Sequence, residues 1–161
     1  GGIDALVVAL VMYQNDLGVL ENACGALSSM SASKESLEKI ASAGGIGSII
    51  ETMRNNVLSS QVITYGSIFL SNASIVDKNY AEEASACVST IIRGMEKNFD
   101  DIYLQKECLG SLRVLAIYSD TCKERILCAG GDVTVEQVMN SHRTIDEIQQ
   151  LGAETLSSLL S

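Results

Sequence analysis

The chain has 161 residues, of which 47% are hydrophobic and only 4% aromatic, and it contains neither proline nor tryptophan. A chain of this length can bury a core without metals or disulfides, and a core of aliphatic residues favours helices over a β-sandwich or barrel. The 20 acidic and 11 basic side chains give a formal charge of −9, which would repel a nucleic-acid backbone or an anionic membrane. No apolar run approaches the roughly 20 residues that a membrane-spanning helix needs. We therefore expect no nucleic-acid partner and no direct membrane insertion.

One sequence pattern recurs four times along the chain. The glycine pairs Gly1-Gly2, Gly44-Gly45 and Gly130-Gly131 mark three copies, and Ala86-Cys87 takes the corresponding place in another, with spacings of 43, 42 and 44 residues. Self-similarity at a fixed period of this size is typical of solenoid proteins. We expect a single domain over residues 1–161, with repeats at approximately 1–33, 34–76, 77–120 and 121–161.

Each glycine pair, and likewise Ala86-Cys87, is followed by a segment with apolar residues at its first, fourth, fifth and eighth positions, which lie on one face of a helix. The first copy has Ile3, Leu6, Val7 and Leu10, whereas the last, degenerate copy has Asp132, Val135, Glu136 and Met139. Asn- and Asp-containing breaks follow, and these residues suit both a turn and the N-cap of the next helix.

A longer helix is predicted after each break, with a core-facing stripe at spacings of four, four and three residues. Its second position is always small, and the four residues are Ala23, Gly66, Cys108 and Gly152. We expect the preceding helix to cross closely there. Short helices are predicted at Lys34 to Ala43, Lys78 to Ser85 and Thr121 to Ala129, the first and last ending at glycine as a left-handed cap.

The segments SLEKIASAGGIGSIIETMRNN and ENACGALSSMS resemble one unit of the armadillo repeat family, as do the three-helix pattern and the period near 42. The period is too long for tetratricopeptide repeats, and three helices per unit argue against HEAT repeats. The resemblance covers the whole chain and implies an all-α, right-handed superhelix of about four three-helix repeats, the first lacking its short first helix. It also implies that the chain is a fragment of a longer array.

In armadillo proteins the third helices line a concave groove for extended peptides, often through a ladder of Trp and, one turn later, Asn. The resemblance places the Trp positions at Gly25, Ile68, Gly110 and Glu154 and the Asn positions at Ser29, Asn72, Val114 and Ser158. Only Asn72 matches, which argues against importin-like capture of basic peptides. Other expected groove residues are Glu21, Ser28, Thr64, Ser71, Lys106, Arg113, Gln150 and Ser157. Lys106 and Arg113 share one helix face and could pair with an acidic partner or, alternatively, with Glu107.

The sequence offers little for catalysis or metal binding. The only histidine, His142, falls in a turn between helices, and no short spacing joins it to the five cysteines Cys24, Cys87, Cys108, Cys122 and Cys128. Four of these cysteines have apolar neighbours, as small core residues would. The Gly44 to Ser48 segment lacks the lysine of a phosphate-binding loop and is interpreted as a helix cap. We expect no enzyme activity, no cofactor and no metal.

The first functional hypothesis is a scaffold or adaptor that binds a peptide or helix of a partner protein on the concave face. The alternative is a structural segment of a larger solenoid that stacks or self-associates through its apolar N-terminal face, Ile3 to Leu10, with the functional site elsewhere. A further alternative is the regulatory arm of a larger catalytic protein. Unpaired cysteines point to a reducing compartment, and we expect the cytoplasm, with the nucleus as the alternative.

Overall fold

The structure, a computed structural model, describes residues 1–161 as eleven α-helices, one 3-10 turn and no strand. The second helices of the four repeats are α1 (Gly2–Met12), α4 (Gly45–Asn55), α7 (Val88–Lys97) and α10 (Gly131–Ser141). The third helices are α2 (Leu17–Met30), α5 (Ser60–Val76), α8 (Ile102–Tyr118) and α11 (Asp146–Leu160). The short first helices are α3 (Lys34–Ser42), α6 (Lys78–Ala84) and α9 (Asp120–Cys128). The prediction of an all-α solenoid is confirmed.

Polar residues start most of the third helices. The Asp16 carboxylate accepts a hydrogen bond from the backbone N–H of Val19 at 3.2 Å, as predicted for an N-cap. Ser59 and Asp101 cap α5 and α8 in the same way. In the last repeat the N-cap residue is Ile145, which has no side-chain acceptor. Side-chain caps in the turns therefore define where the third helix starts in three repeats. In the fourth repeat the start of the helix depends on packing.

The transition from first to second helix depends on glycine. Gly44 and Gly130 adopt φ values of +81° and +74°, in the left-handed region that a Cβ disfavours, and they precede α4 and α10. The third copy has Ala86 instead, and there the chain continues through the 3-10 turn Ser85–Cys87 with no positive φ. Ala86-Cys87 in place of a glycine pair thus changes the local backbone conformation, but the second helix still follows the first as in the other repeats.

The repeats share one continuous core of 35 buried hydrophobic residues. At the small position of α5, a Cβ on Gly66 would overlap the side chain of Met53 from α4, and a Cβ on Gly152 would overlap that of Met139 from α10. The predicted close crossing is present, and the approaching group is a methionine side chain rather than backbone. No helix of the solenoid combines the length and the hydropathy that crossing a membrane requires.

The stack is tighter on one side than on the other. Neighbouring third helices pack directly against one another along the whole chain, whereas neighbouring second helices are in much sparser contact. The third helices therefore lie on the inside of the curve. Their solvent-facing sides form the concave face, and the second helices form the opposite face.

Candidate partner-binding site

The middle of the concave face is formed by α5 and α8. Residues spaced by three and four along these helices have partly or fully exposed side chains, as expected for one helix face turned to solvent. We call these ten positions the central groove: Gln61, Tyr65, Ile68, Asn72 and Ile75 on α5, and Tyr103, Glu107, Gly110, Val114 and Ile117 on α8.

The central groove exposes more apolar surface than a solvated helix face usually does. Tyr103 is 53% exposed, Ile75 51% and Ile117 54%, and the half-buried Ile68 and Val114 lie between them along the helices. Single exposed aliphatic residues are ordinary, but a row on two adjacent helices forms a patch of the kind that marks interaction sites.

Two tyrosines lie toward one end of the central groove, Tyr65 on α5 and Tyr103 on α8. The Tyr65 ring from α5 lies over Gly25 of α2, where an added Cβ would be 3.3 Å from Tyr65 Cε2. Asn22, Gly25, Gln61 and Tyr65 line a cleft of about 310 Å³ there. Burial raises the pKa of the Tyr103 phenol, with smaller contributions from the Glu107 carboxylate and from Tyr65.

The structure places several predicted site residues on the concave face. Gly25, Ile68, Gly110 and Glu154 are partly exposed, and Ser29 and Asn72 are exposed or partly exposed. The Asn72 side chain donates from Nδ2 to Ser31 Oγ of the preceding repeat at 2.9 Å. Its Oδ1 has no partner within the protein, so one half of the amide could still bind a peptide N–H.

Thr64 was a predicted groove residue, and this prediction is wrong. Thr64 is 2% exposed, and the expected groove residues Ser28 and Ser71 are also buried. These positions face the next third helix, which covers them. Gln150 and Ser157 take the same positions on α11, where both side chains are exposed. The Thr64 Oγ1 atom forms no hydrogen bond.

Lys106 and Arg113 form ion pairs with the next repeat. Lys106 Nζ lies 3.0 Å from Glu147 Oε2, and Arg113 Nε lies 3.8 Å from Glu154 Oε2. The predicted local pairing with Glu107 is therefore wrong. Exposed ion pairs contribute only about 0–1 kcal/mol each, but they neutralise the charges that an acidic partner would need. Glu21 is engaged likewise, because Ser59 Oγ donates to its carboxylate at 2.8 Å.

Four residues of the central groove were not predicted from the sequence: Tyr65, Tyr103, Ile75 and Ile117. A signal for them was present, because Ile68 and Asn72 were already assigned to the concave face. Tyr65 lies one turn before Ile68 and Ile75 one turn after Asn72, and Ile117 lies three residues beyond Val114. Extending the ladder by one turn in each direction would have found Tyr65, Ile75 and Ile117, and Tyr103 lies two turns before Gly110.

His142 and the buried cysteines lie at structural positions rather than at a reactive site. His142 Nε2 lies 2.9 Å from the Phe99 carbonyl oxygen of the preceding repeat. Cys24, Cys87 and Cys108 are buried, and burial raises the pKa of each thiol to about 12, which disfavours the reactive thiolate. Cys128 alone is exposed. No cluster of three or more histidine, cysteine or acidic side chains has the geometry to hold a metal ion.

Comparison with known proteins yields structural neighbours only. No family model matches the sequence, and no curated protein matches it. A designed armadillo repeat protein has a TM-score of 0.77 and 20% identity over 99% of this chain and 65% of its own. A second, in complex with the peptide (KR)4, has a TM-score of 0.79 and 18% identity over 98% of this chain and 64% of its own.

A third neighbour, described only as an engineered protein, has a TM-score of 0.79 and 17% identity over 98% of this chain and 63% of its own. The chain thus spans slightly under two thirds of each of these solved structures. At such identities the likeness shows the fold alone. Together with four pairs of second and third helices and the three short first helices between them, it establishes that this chain has the armadillo repeat fold.

Proposed function

We propose that this chain is a scaffold or adaptor segment that binds a partner protein along its concave face. The ligand is an extended peptide or a helix, held by the third helices without a catalytic step. The observation that carries the proposal is the row of unpartnered apolar and aromatic side chains in the central groove, with Tyr103, Ile75 and Ile117 each more than half exposed. The exposed apolar area of this row is removed from water only when another protein chain covers it.

The chemistry of the central groove favours a partner with apolar side chains. The cations near its C-terminal end, Lys106 and Arg113, are already paired with Glu147 and Glu154. A partner therefore gains little by offering carboxylates to Lys106 and Arg113, or cations to the glutamates that hold them. An aromatic or branched side chain of the ligand would pack on Tyr103 and Ile117, while the free Oδ1 of Asn72 accepts from the ligand backbone.

The designed neighbour in complex with (KR)4 supports the use of this fold as a peptide-binding scaffold. That peptide is basic, and we do not extend this preference of the designed protein to the present chain. Gly25, Ile68 and Gly110 provide no indole walls between which the aliphatic part of a basic side chain could lie. We propose that this chain instead selects ligands by apolar contact at Tyr65 and Tyr103.

The proposal is tested by selecting short random peptides on the purified chain and measuring the affinity of the enriched peptides by fluorescence anisotropy. The groove variant carries Tyr103→Ser and Ile117→Ser. Its affinity should fall by about tenfold or more, because truncation of a buried anchor residue typically costs on the order of 2 kcal/mol. Arg113→Glu is a poor test, because it would place a carboxylate against Glu154 and disturb the packing of α8 on α11.

The matched control variant carries Tyr13→Ser and Val133→Ser, which lie outside the central groove. Tyr13 is 56% exposed and Val133 52%, so this pair removes side chains of similar kind and exposure. The control should bind as the unchanged chain does. Equal affinities of the groove and control variants, with circular dichroism showing both folded, would refute the concave-face assignment.

A second candidate function is supported by the N-terminal end of the solenoid. Val8, Met12 and Tyr13 of α1 and the turn after it are 54 to 70% exposed, whereas Val7 and Leu10 of the expected Ile3 to Leu10 face are buried. These exposed side chains would serve self-association or stacking on further repeats. Sedimentation velocity distinguishes the two functions: a concentration-dependent dimer that Met12→Ser and Tyr13→Ser abolish supports stacking, and a monomer at all concentrations removes self-association.

For localisation we propose a reducing compartment such as the cytoplasm. Five unpaired cysteines, one of them exposed, support it. The proposal predicts that the chain isolated from cells with alkylated thiols carries no disulfide and no mixed disulfide at Cys128. A substantial disulfide-linked fraction would contradict it.

A further inference from the structure

The gaps between consecutive second helices are not equivalent, although the repeats are. In the first three second helices the penultimate residue faces the gap to the next repeat, and that residue is Val11 in α1, Arg54 in α4 and Glu96 in α7. Arg54 Nη2 donates to the Ala86 carbonyl oxygen at 2.8 Å. Glu96 Oε1 accepts from Thr134 Oγ1 at 3.2 Å. The second and third gaps are thus each bridged by a long polar side chain.

The first gap has no such bridge. Val11 is too short and has no polar atom with which to reach α4, and a cavity of about 300 Å³ lies between α1 and α4. This volume is at the lower limit of ligand clefts, about 300–1,000 Å³. The apolar floor consists of Leu10, Leu20 and Val11, and the far wall consists of Gly44, Ser48 and Glu51.

The wall of this cavity presents the Glu51 carboxylate and the Ser48 hydroxyl, beside the amide side chains of Gln14, Asn55 and Asn56. Gly44 occupies the position of Ala86, whose carbonyl oxygen binds the Arg54 guanidinium in the second gap. Ser48 Oγ donates to Gly44 O at 3.1 Å and retains its own lone pairs for a further donor. The Glu51 carboxylate accepts from Asn55 Nδ2 at 3.3 Å and forms no ion pair.

The charge at the rim also changes between the gaps. Glu51 corresponds to Arg93 in α7 and to Gln137 in α10, so a carboxylate is present only where the bridging side chain is missing. The Glu51 carboxylate and the Ser48 hydroxyl beside one cleft match the donors of a planar guanidinium, whereas the Gly44 carbonyl oxygen already accepts from the backbone N–H and the Oγ of Ser48. The apolar floor matches the methylene stem of the same side chain.

We infer that the cleft between α1 and α4 binds an arginine side chain of a partner protein, which occupies the place that the chain's own Arg54 takes in the next gap. The stem lies along Leu10 and Val11, and the guanidinium donates to Glu51 and Ser48. This site is on the second-helix side of the solenoid and does not depend on the concave face. A partner that uses both faces would be held at two separate points.

The test uses the intact chain and blocked arginine, N-acetyl-arginine methylamide, followed by amide chemical shifts. Saturable shifts are expected at Gly44, Gly47 and Ser48. Val11→Arg should abolish them, because it supplies the guanidinium from within the chain as Arg54 does. Glu51→Gln should weaken binding by about tenfold, since it replaces a charged hydrogen-bond acceptor with a neutral one.

Two sets of controls make the result decisive. Val8→Arg adds the same charge to α1 at a side chain that is 54% exposed and does not line the cavity, and it should leave binding unchanged. Blocked citrulline and blocked lysine, at the same concentrations, should bind more weakly than blocked arginine. Guanidinium chloride should also bind more weakly, because it lacks the stem. The inference would be overturned if the shifts did not saturate or if Val8→Arg and Val11→Arg had equal effects. Binding of any of these compounds as tightly as blocked arginine would also overturn it.

Discussion

Gly66 lies at the closest approach of α5 to α4, and replacing it with alanine tests the packing of the repeat directly. A Cβ at this position would overlap the Sδ and Cγ atoms of Met53 more closely than real Cβ atoms do. Met53 is fully buried, and its Sδ lies 3.6 Å from Cys87 Sγ, so the methionine cannot move without displacing a second core side chain. Gly66→Ala should therefore destabilise the protein.

The size of the effect follows from two opposing terms. Alanine gains about 1 kcal/mol over glycine within a helix, whereas an extra carbon in a packed core costs about 1–3 kcal/mol. We expect Gly66→Ala to lose about 1 kcal/mol of unfolding free energy, which is the difference of these terms. Gly110 of α8 is the matched control, because an added Cβ there meets nothing within 4 Å. Gly110→Ala should gain about 0.5–1 kcal/mol.

Urea unfolding followed by circular dichroism measures both variants. The contact itself is isolated by repeating Gly66→Ala in a Met53→Ala background, where the space beside α5 is vacant and the substitution should become stabilising. If Gly66→Ala stabilises the protein as much as Gly110→Ala, or costs the same in both backgrounds, the predicted clash with Met53 does not exist.

Three further predictions concern thiols and charges. In the native state a thiol reagent should modify one cysteine rapidly, Cys128, and all five only in denaturant; a second fast thiol would contradict the burial of the other four. Burial raises the pKa of Cys24, Cys87 and Cys108 from 9.0 to about 12, so between these pH values the unfolded chain binds fewer protons and the free energy of unfolding should fall as pH rises. Denaturant midpoints that stay constant above pH 9 would show that this account is wrong. Glu147→Gln, which removes the partner of Lys106, should cost less than about 1 kcal/mol, and a larger loss in thermal melts would mean that the pair is more than a surface contact.

Much of the fold could be predicted because the same sequence pattern indicates the helices in each repeat. The apolar spacing in α1, α4 and α7, the small residue at Gly66 and Gly152, and the glycines at positive φ are local signals, and the structure confirms them. Repetition turns weak local patterns into a strong global one. The N-cap of α11 is Ile145, which has no side-chain acceptor, so packing rather than capping defines the start of this helix.

The site was predicted less well, because exposure on a third helix depends on the neighbouring repeats. The sequence places Thr64 and Ile68 one turn apart on α5, but it does not say how far α8 covers each of them. The third helices cross so that Thr64 is buried and Ile68 is half exposed. Ion pairs across repeats, such as Arg113 with Glu154, depend on the same rotation and cannot be derived from spacing within one helix.

The bridging differences between the second helices illustrate the same limit. The sequence shows that Val11, Arg54 and Glu96 occupy corresponding positions, yet only the structure shows that Arg54 spans a gap to Ala86 and that Val11 leaves a cleft. A shared repeat unit therefore fixes the scaffold, while departures from it at exposed positions create the surfaces that can distinguish partners.

The central claim, that a partner chain lies along the concave face, is tested most directly by attaching a nitroxide label to a selected peptide and measuring amide line broadening in the isotope-labelled protein. The account predicts that broadening is strongest at Ile68 and Asn72 of α5 and at Gly110 and Val114 of α8, and is absent from α10. Broadening confined to α1 and α4, with the central groove unaffected, would contradict it.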